Sequence, residues 1–208
     1  MSKEFVAEAH NHLLTIKEPV QPFTVLMLCS LKSYKGIEEF IRLAEGLPRY
    51  RFNLVLNASM EEIKTYFMSR ALPDNLVFFP KQKDVHWFYQ HANLVVNLSK
   101  PTEWIETFGM TLLEAMTYGL PVIAPTVGGP TEVVEEGQTG YLMDSQNTAE
   151  LVLLIQRIAV DTELYESLSE NALRLATNFN EEAFFKGIQR SVGQEKSTVE
   201  ELEELVFE

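Results

Sequence analysis

Two carboxylates, Glu106 and Glu114, bracket the string Glu106-Thr-Phe-Gly-Met-Thr-Leu-Leu-Glu114. A glycine at 109 lets a ligand approach the backbone, and the apolar run behind it reads as a helix opening near Met110. The first amides of a helix have no partner inside it, and the helix dipole adds positive potential. The backbone from Phe108 through Gly109 to Met110 therefore suits diphosphate or sugar oxygens. Glu106 sits beside that anion site, while Glu114, about a turn into the helix, can accept hydrogen bonds from a diol such as a ribose. A plainer reading stays open, in which Glu106 only complements the dipole and Glu114 is solvated.

A second loop, Ser30-Leu-Lys-Ser-Tyr-Lys-Gly36, follows an apolar run and places Lys32 and Lys35 where a phosphate could lie near the next helix. Solvated loop charges are the alternative. The chain has no Gly-x-x-x-x-Gly-Lys-Ser/Thr string and no Gly-x-Gly-x-x-Gly fingerprint, so the P-loop and dinucleotide-binding readings fail. His86 and His91 share a short helix without further His or Cys partners, and His10 and His12 lie near the terminus. Neither pair makes a metal site, and helix-surface histidines are expected. Trp104, in the long loop before Glu106, is either a stacking platform for a sugar or base or a loop anchor.

These loops need elements to hold them. Phe23–Leu31 reads as a buried strand, followed by an amphipathic helix over Ile37–Leu47. The pattern repeats with strands over 52–56, 76–79, 94–98, 122–124 and 140–143, and helices over 60–70, 85–91, 110–118 and 131–135. Such alternation predicts an α/β fold, a Rossmann-like parallel sheet with helices on both faces. Strands stop after Thr148, and helical patterns over 151–160, 163–177 and 181–192 flank or cap the sheet. We expect a helical or linker segment over 1–22, the domain proper over 23–193, and an acidic tail over 194–208 with Val199, Leu202, Leu205 and Val206 on one side.

The chain has 208 residues, enough for one well-cored α/β domain. Its net charge of -13, of which -5 lies in the tail, excludes proteins that work by neutralising nucleic-acid phosphates or by lying on an anionic membrane. No apolar stretch reaches the roughly 20 residues that span a bilayer, so membrane contact is at most peripheral. The only cysteine, Cys29, cannot form an intrachain disulfide, which favours a reducing, cytoplasmic setting.

Beyond spacing, Glu106 to Pro125 resembles the signature of the family-4 retaining glycosyltransferases, including their Glu-x7-Glu element. Further similarities, in register, are Lys35-Gly36, the stretch Tyr89-Gln-His-Ala-Asn-Leu-Val-Val-Asn-Leu-Ser99, and Val127-Gly-Gly-Pro-Thr-Glu-Val-Val-Glu-Glu-Gly-Gln-Thr-Gly140. The resemblance implies the carboxy-terminal, donor-binding Rossmann-like half of a GT-B enzyme that moves a sugar from a nucleoside-diphosphate sugar to a glycan or other acceptor. On that likeness Glu106 contacts the transferred sugar and Glu114 the ribose. The Phe108, Gly109, Met110 and Thr111 backbone faces sugar and phosphate, Lys35 grips the diphosphate and assists catalysis, and Gln82 lies near the base. The family's Gly-Arg pair reads Cys29-Ser30 here, so Lys35 lacks its usual partner, and Lys32 or Ser30 would compensate. The scheme requires no metal or other cofactor. It also implies an acceptor-binding half that would precede this one and is absent from the chain, leaving the domain by itself inactive. Two alternatives share the fold: a non-catalytic binding or assembly module, and half of a nucleotide-sugar epimerase.

Overall fold

The computed structural model describes residues 2–12, 21–68 and 70–179. The helix expected over 181–192 and the acidic tail over 194–208 lie outside the described residues. Helix α1 (Lys3–His12) comes first. The sheet then opens with β1 (Thr24–Cys29), a single 3-10 turn (Ser33–Lys35) and α2 (Ile37–Gly46). There follow β2 (Arg51–Leu56), α3 (Met60–Phe67), β3 (Leu76–Phe79), α4 (His86–Gln90), β4 (Leu94–Val96), α5 (Met110–Met116), β5 (Val122–Ala124), α6 (Pro130–Val133) and β6 (Gly140–Leu142). Two longer helices, α7 (Thr148–Val160) and α8 (Thr162–Ala176), complete the described chain.

All six strands are parallel, in the order β3-β2-β1-β4-β5-β6. This is the Rossmann order, and the expected α/β class holds. Side chains alternate along each strand, so β1 sends Val25 and Met27 to one face and Leu26 to the other. The first face buries Phe40, Ile41 and Ala44 of α2 with Leu151, Ile155 and Ile158 of α7. The second buries Phe88 and Tyr89 of α4, Leu112, Leu113 and Met116 of α5, and Ala172 and Ala176 of α8. Hydrophobic runs on central strands follow from burial on both faces.

The strand order reverses between β1 and β4, and a buried side chain fixes that junction. Asn93, 1% exposed, accepts from the Thr24 amide through Oδ1 at 2.8 Å, and its own amide donates to the Thr24 carbonyl at 2.8 Å. At the carboxyl ends of the same two strands the chain does something the strand patterns did not anticipate. Both strands stop short of their apolar runs, at Cys29 and Val96, because the loops beyond them converge. Gly36 has φ +77°, and a Cβ there would lie 2.1 Å from the Leu98 carbonyl oxygen, so only glycine lets the first loop close against the end of β4.

Gly36→Ala is expected to destabilise the domain by about 3 kcal/mol, combining left-handed strain with backbone overlap. The urea midpoint should fall with little change in slope; a shift under about 0.5 kcal/mol would show that the two loops do not need this close approach.

Candidate functional site

The crevice above the β1/β4 reversal is where open parallel sheets hold their ligands, because the helices that follow the two strands pack on opposite faces of the sheet. The structure brings Lys35 and Glu106 together in it: Lys35 Nζ donates to Glu106 Oε2 at 2.6 Å, with side chains 16% and 17% exposed. Asn97 Nδ2 and Ser99 Oγ reach the same oxygen at 3.4 Å. Burial pushes the Glu106 carboxyl up, but the hydrogen bond and charge of Lys35, joined by Asn97 and Ser99, outweigh it and hold the group below the usual glutamate range. Glu106 is therefore a charged acceptor in a half-buried place. Its backbone is fixed as well, since the Gly129 amide donates to the Glu106 carbonyl at 2.8 Å. A Cβ on Gly129 would stand 2.1 Å from the Thr107 carbonyl oxygen, so the glycine pair 128–129 permits that approach.

The loop from Ser99 to Gly109 is held by buried charge. The Lys100 amide donates to the Tyr34 carbonyl at 2.8 Å, and Lys100 Nζ pairs at 3.3 Å with Glu39 Oε1 on α2. Glu39 is 4% exposed, and Arg42 reaches the same oxygen at 3.3 Å. Trp104 stacks on Tyr34 with ring centroids 5.4 Å apart, so it anchors the loop, and its indole is still 47% exposed beside the crevice.

Gly109, at φ +79°, caps α5 and starts it. The Leu112 amide turns back to the Gly109 carbonyl at 2.9 Å, while Met110 and Thr111 sit at the helix start, where amides have no partner within the helix. The side chains of Phe108 and Met110 are exposed. Glu114 is half-buried on α5 and is not the solvated residue of the plainer reading: Tyr89 donates its hydroxyl to Glu114 Oε2 at 2.7 Å. Burial pushes the Glu114 carboxyl above the usual range, and the Tyr89 bond and the His86 charge only partly offset this.

Ser30 lines two cavities that share Leu28 and Cys29. One, about 110 Å³, is closed by Lys35 and Asn97; the other, about 320 Å³, is bordered by Asn57, Gln82, Val85 and Thr111. Ser30 thus stands between two neighbouring cavities, with Lys35 on one and Gln82 and Thr111 on the other. Gln82 spends its amide on the Pro80 carbonyl at 2.8 Å, and Lys32 is exposed on the loop. Clefts of about 440 and 460 Å³ also exist around Pro48–Arg51. They lie where β2 begins, the end of an open parallel sheet that does not carry its ligand, so the smaller pair is the candidate site.

One histidine departs from expectation. His86 is not a plain surface residue: it hydrogen-bonds the Tyr118 hydroxyl, pairs with Glu8 of α1 at 3.1 Å, and stacks on Phe5 at 4.5 Å. The packing of α1 against α4 creates this setting, and no local pattern around residue 86 announces it. Asn97, Ser99 and Tyr89 were not singled out either. The first two could have been, as polar residues two apart directly after an apolar strand.

A parallel sheet in the Rossmann order, with a cationic and a carboxylate side chain at its switch point, is a doubly wound α/β domain. Within that class, the glycosyl transferases group 1 family matches residues 15–175, and the chain belongs to it. Over 174 residues it is 26% identical to an uncharacterized glycosyltransferase of Haemophilus influenzae, covering 79% of this chain and 48% of that protein. Among solved structures, sucrose-phosphate synthase from Thermosynechococcus elongatus superposes with a TM-score of 0.73 and 28% identity, over 95% of this chain and 51% of that one. HepE of Anabaena, in complex with UDP and glucose, superposes with a TM-score of 0.72 and 24% identity, over 93% of this chain and 53% of that one. The chain spans about half the length of these relatives.

Because the Glu114 carboxyl titrates above its usual range in the folded chain, its ionised form opposes folding. The cost is complete above the folded pKa and disappears as pH falls below the unfolded value. Glu114→Gln keeps an oxygen for Tyr89 and is expected to raise the thermal midpoint at pH 7, losing that advantage as the pH falls to about 4. Unfolding curves across this range check it, and a destabilised variant at pH 7 would contradict it.

Proposed function

We propose that this domain is the carboxy-terminal, donor-binding half of a retaining glycosyltransferase that takes a nucleoside-diphosphate sugar. The observation that carries the reading is the Lys35–Glu106 pair at the β1/β4 crevice, with Glu114 on the helix that follows. The UDP and glucose held by HepE support a sugar nucleotide as ligand and make UDP the first nucleotide to try. Glu106 accepts from hydroxyls of the transferred sugar, and Glu114 accepts from the ribose. Ser30 and Gln82 border the base and the near phosphate, and the backbone of Phe108, Gly109, Met110 and Thr111 faces the sugar and diphosphate.

The arriving diphosphate competes with Glu106 for Lys35. An ammonium on a flexible stem can turn from a carboxylate to a phosphate oxygen at small cost, which frees Glu106 for the sugar. Transfer then proceeds on one face of the sugar. The bond from the anomeric carbon to the leaving diphosphate breaks, the acceptor oxygen bonds to that carbon, and a departing phosphate oxygen takes the acceptor's proton. Lys35 and the α5 amides stabilise the negative charge that grows on the diphosphate, where preorganised donors contribute most. An acceptor-binding domain facing the crevice supplies the second substrate. A cytoplasmic setting belongs to the same proposal, supported by the lone Cys29, whose thiol is pushed up to about 12 by burial. Such a thiol does not ionise appreciably at neutral pH. Among the described residues no helix is long and apolar enough to cross a membrane.

Ser30 favours a second reading, a non-catalytic module of the same fold, because it leaves Lys35 as the one cation paired with Glu106 among the described residues. Calorimetric titration with UDP-, GDP- and ADP-sugars and the free nucleotides separates the two. Selective binding is expected, with Glu114→Ala lowering nucleotide affinity by about 1.5–3 kcal/mol, the range for hydrogen bonds to a charged group. Glu106→Ala should leave free-nucleotide affinity nearly unchanged and remove the added affinity of the sugar. No binding by the folded chain, or equal effects of both substitutions, would overturn the assigned roles.

A further inference from the structure

Tyr89 is a fully buried side chain whose hydroxyl reaches a carboxylate of the site. Its ring is 0% exposed, packed parallel to Tyr118 at 5.5 Å and edge-on to Phe5 of α1 at 6.3 Å. Only the hydroxyl emerges from this apolar bed. It crosses from α4 to α5 and donates to Glu114 Oε2 at 2.7 Å, with the Thr111 carbonyl a further 3.4 Å neighbour. A phenol carries one proton, and the charged, nearer oxygen takes it. A ring clamped on both sides has no alternative rotamer to offer, so the position of Oε2 is set by the core rather than by water.

We propose that Tyr89 is a positioning residue: by holding one oxygen of Glu114 it fixes the carboxylate plane and thereby makes the site select a ribose over a 2′-deoxyribose. The inference rests on the reading of Glu114 as the ribose contact. Two adjacent hydroxyls donate best to a carboxylate whose orientation is already set, because the entropy of ordering it has been lost in folding rather than on binding. Burial of Glu114 makes the clamp necessary. A half-buried carboxyl pushed above its usual range, with no donor, would turn toward water or take up a proton, and either change removes an acceptor from the diol. Tyr89 itself stays protonated, since burial and the Glu114 charge push its phenol well above the usual range. A purely structural tyrosine would support the fold without distinguishing one sugar of the nucleotide from another.

The test is calorimetric titration of the full chain with UDP, GDP and ADP and with their 2′-deoxy counterparts, on wild type, Tyr89→Phe and Glu114→Ala. Wild type is expected to prefer a ribonucleotide by about ten-fold or more, roughly one hydrogen bond to a charged group. Tyr89→Phe should cut that ratio several-fold by weakening the ribonucleotide, with the deoxynucleotide affinity nearly unchanged. Loss of affinity for both in equal proportion would make Tyr89 structural only and overturn the proposal. Glu114→Ala separates the two failures. If it abolishes the preference while Tyr89→Phe keeps it, the positioning role alone falls. If Glu114→Ala retains the wild-type preference, or if wild type binds none of the nucleotides, the ribose assignment falls and the proposal with it. Should Tyr89→Phe not fold, 3-fluorotyrosine incorporated at position 89 keeps the ring and strengthens the donor. The preference should then rise, and an unchanged ratio overturns the proposal.

Discussion

The pairing of β1 with β4 is the constraint on which the site depends. Those strands are separated in sequence by two strand–helix units, yet they lie side by side, and the loops leaving their carboxyl ends supply Lys35 and Glu106 to a single crevice. The junction is fixed at both ends. The two-way hydrogen bonding of Asn93 with Thr24 sets register below, and the close approach of Gly36 to Leu98 joins the loops above. A slip of one residue would exchange the two faces of β1 and carry Leu26 into the wrong core.

Charge in this domain is placed where it does the most local work. Glu39 is almost fully buried, which is costly for a carboxylate unless cations are near, and it has Lys100 and Arg42. The pair ties α2 to the loop that carries Glu106, so the site rests on helix and strand through that loop's own anchors. Glu106 and Glu114 then differ for a physical reason. The first is held ionised by a direct ammonium and two neutral donors, while the second is desolvated and keeps one phenol. Two carboxylates of one short segment thereby become a strong, fixed anion and a softer acceptor.

The second face of the sheet connects the site to the start of the chain. Phe5 of α1 meets His86, Tyr89 and Tyr118 in one aromatic cluster, and Glu8 pairs with His86. Tyr89 belongs both to this cluster and to the Glu114 carboxylate, so packing of the amino-terminal helix and the geometry of the proposed ribose contact share a side chain.

Much of the fold was legible in the chain itself. Apolar runs alternating with helical periodicity required a parallel sheet covered on both faces, and their order along the sequence located all six strands to within two residues at each end. The first strand, read to Leu31, ends at Cys29, because convergence of the loops and not local propensity stops it. The chemistry-bearing types were legible too: Lys35, Glu106, Gly109 and Glu114 stand out as charge and backbone freedom beside a helix start. What sequence alone could not give was which of these touch. The Lys35–Glu106 contact, the Tyr89 hydroxyl on Glu114 and the Glu39–Lys100 anchor join residues far apart in the chain, and each exists because strand order and helix packing bring their elements together. Local pattern decides the kind of element and the residue types at its ends, since backbone hydrogen bonding and burial act over a few residues. Partners across elements, and with them the ionisation of each carboxylate, are decided by tertiary packing, because desolvation and charge act through space.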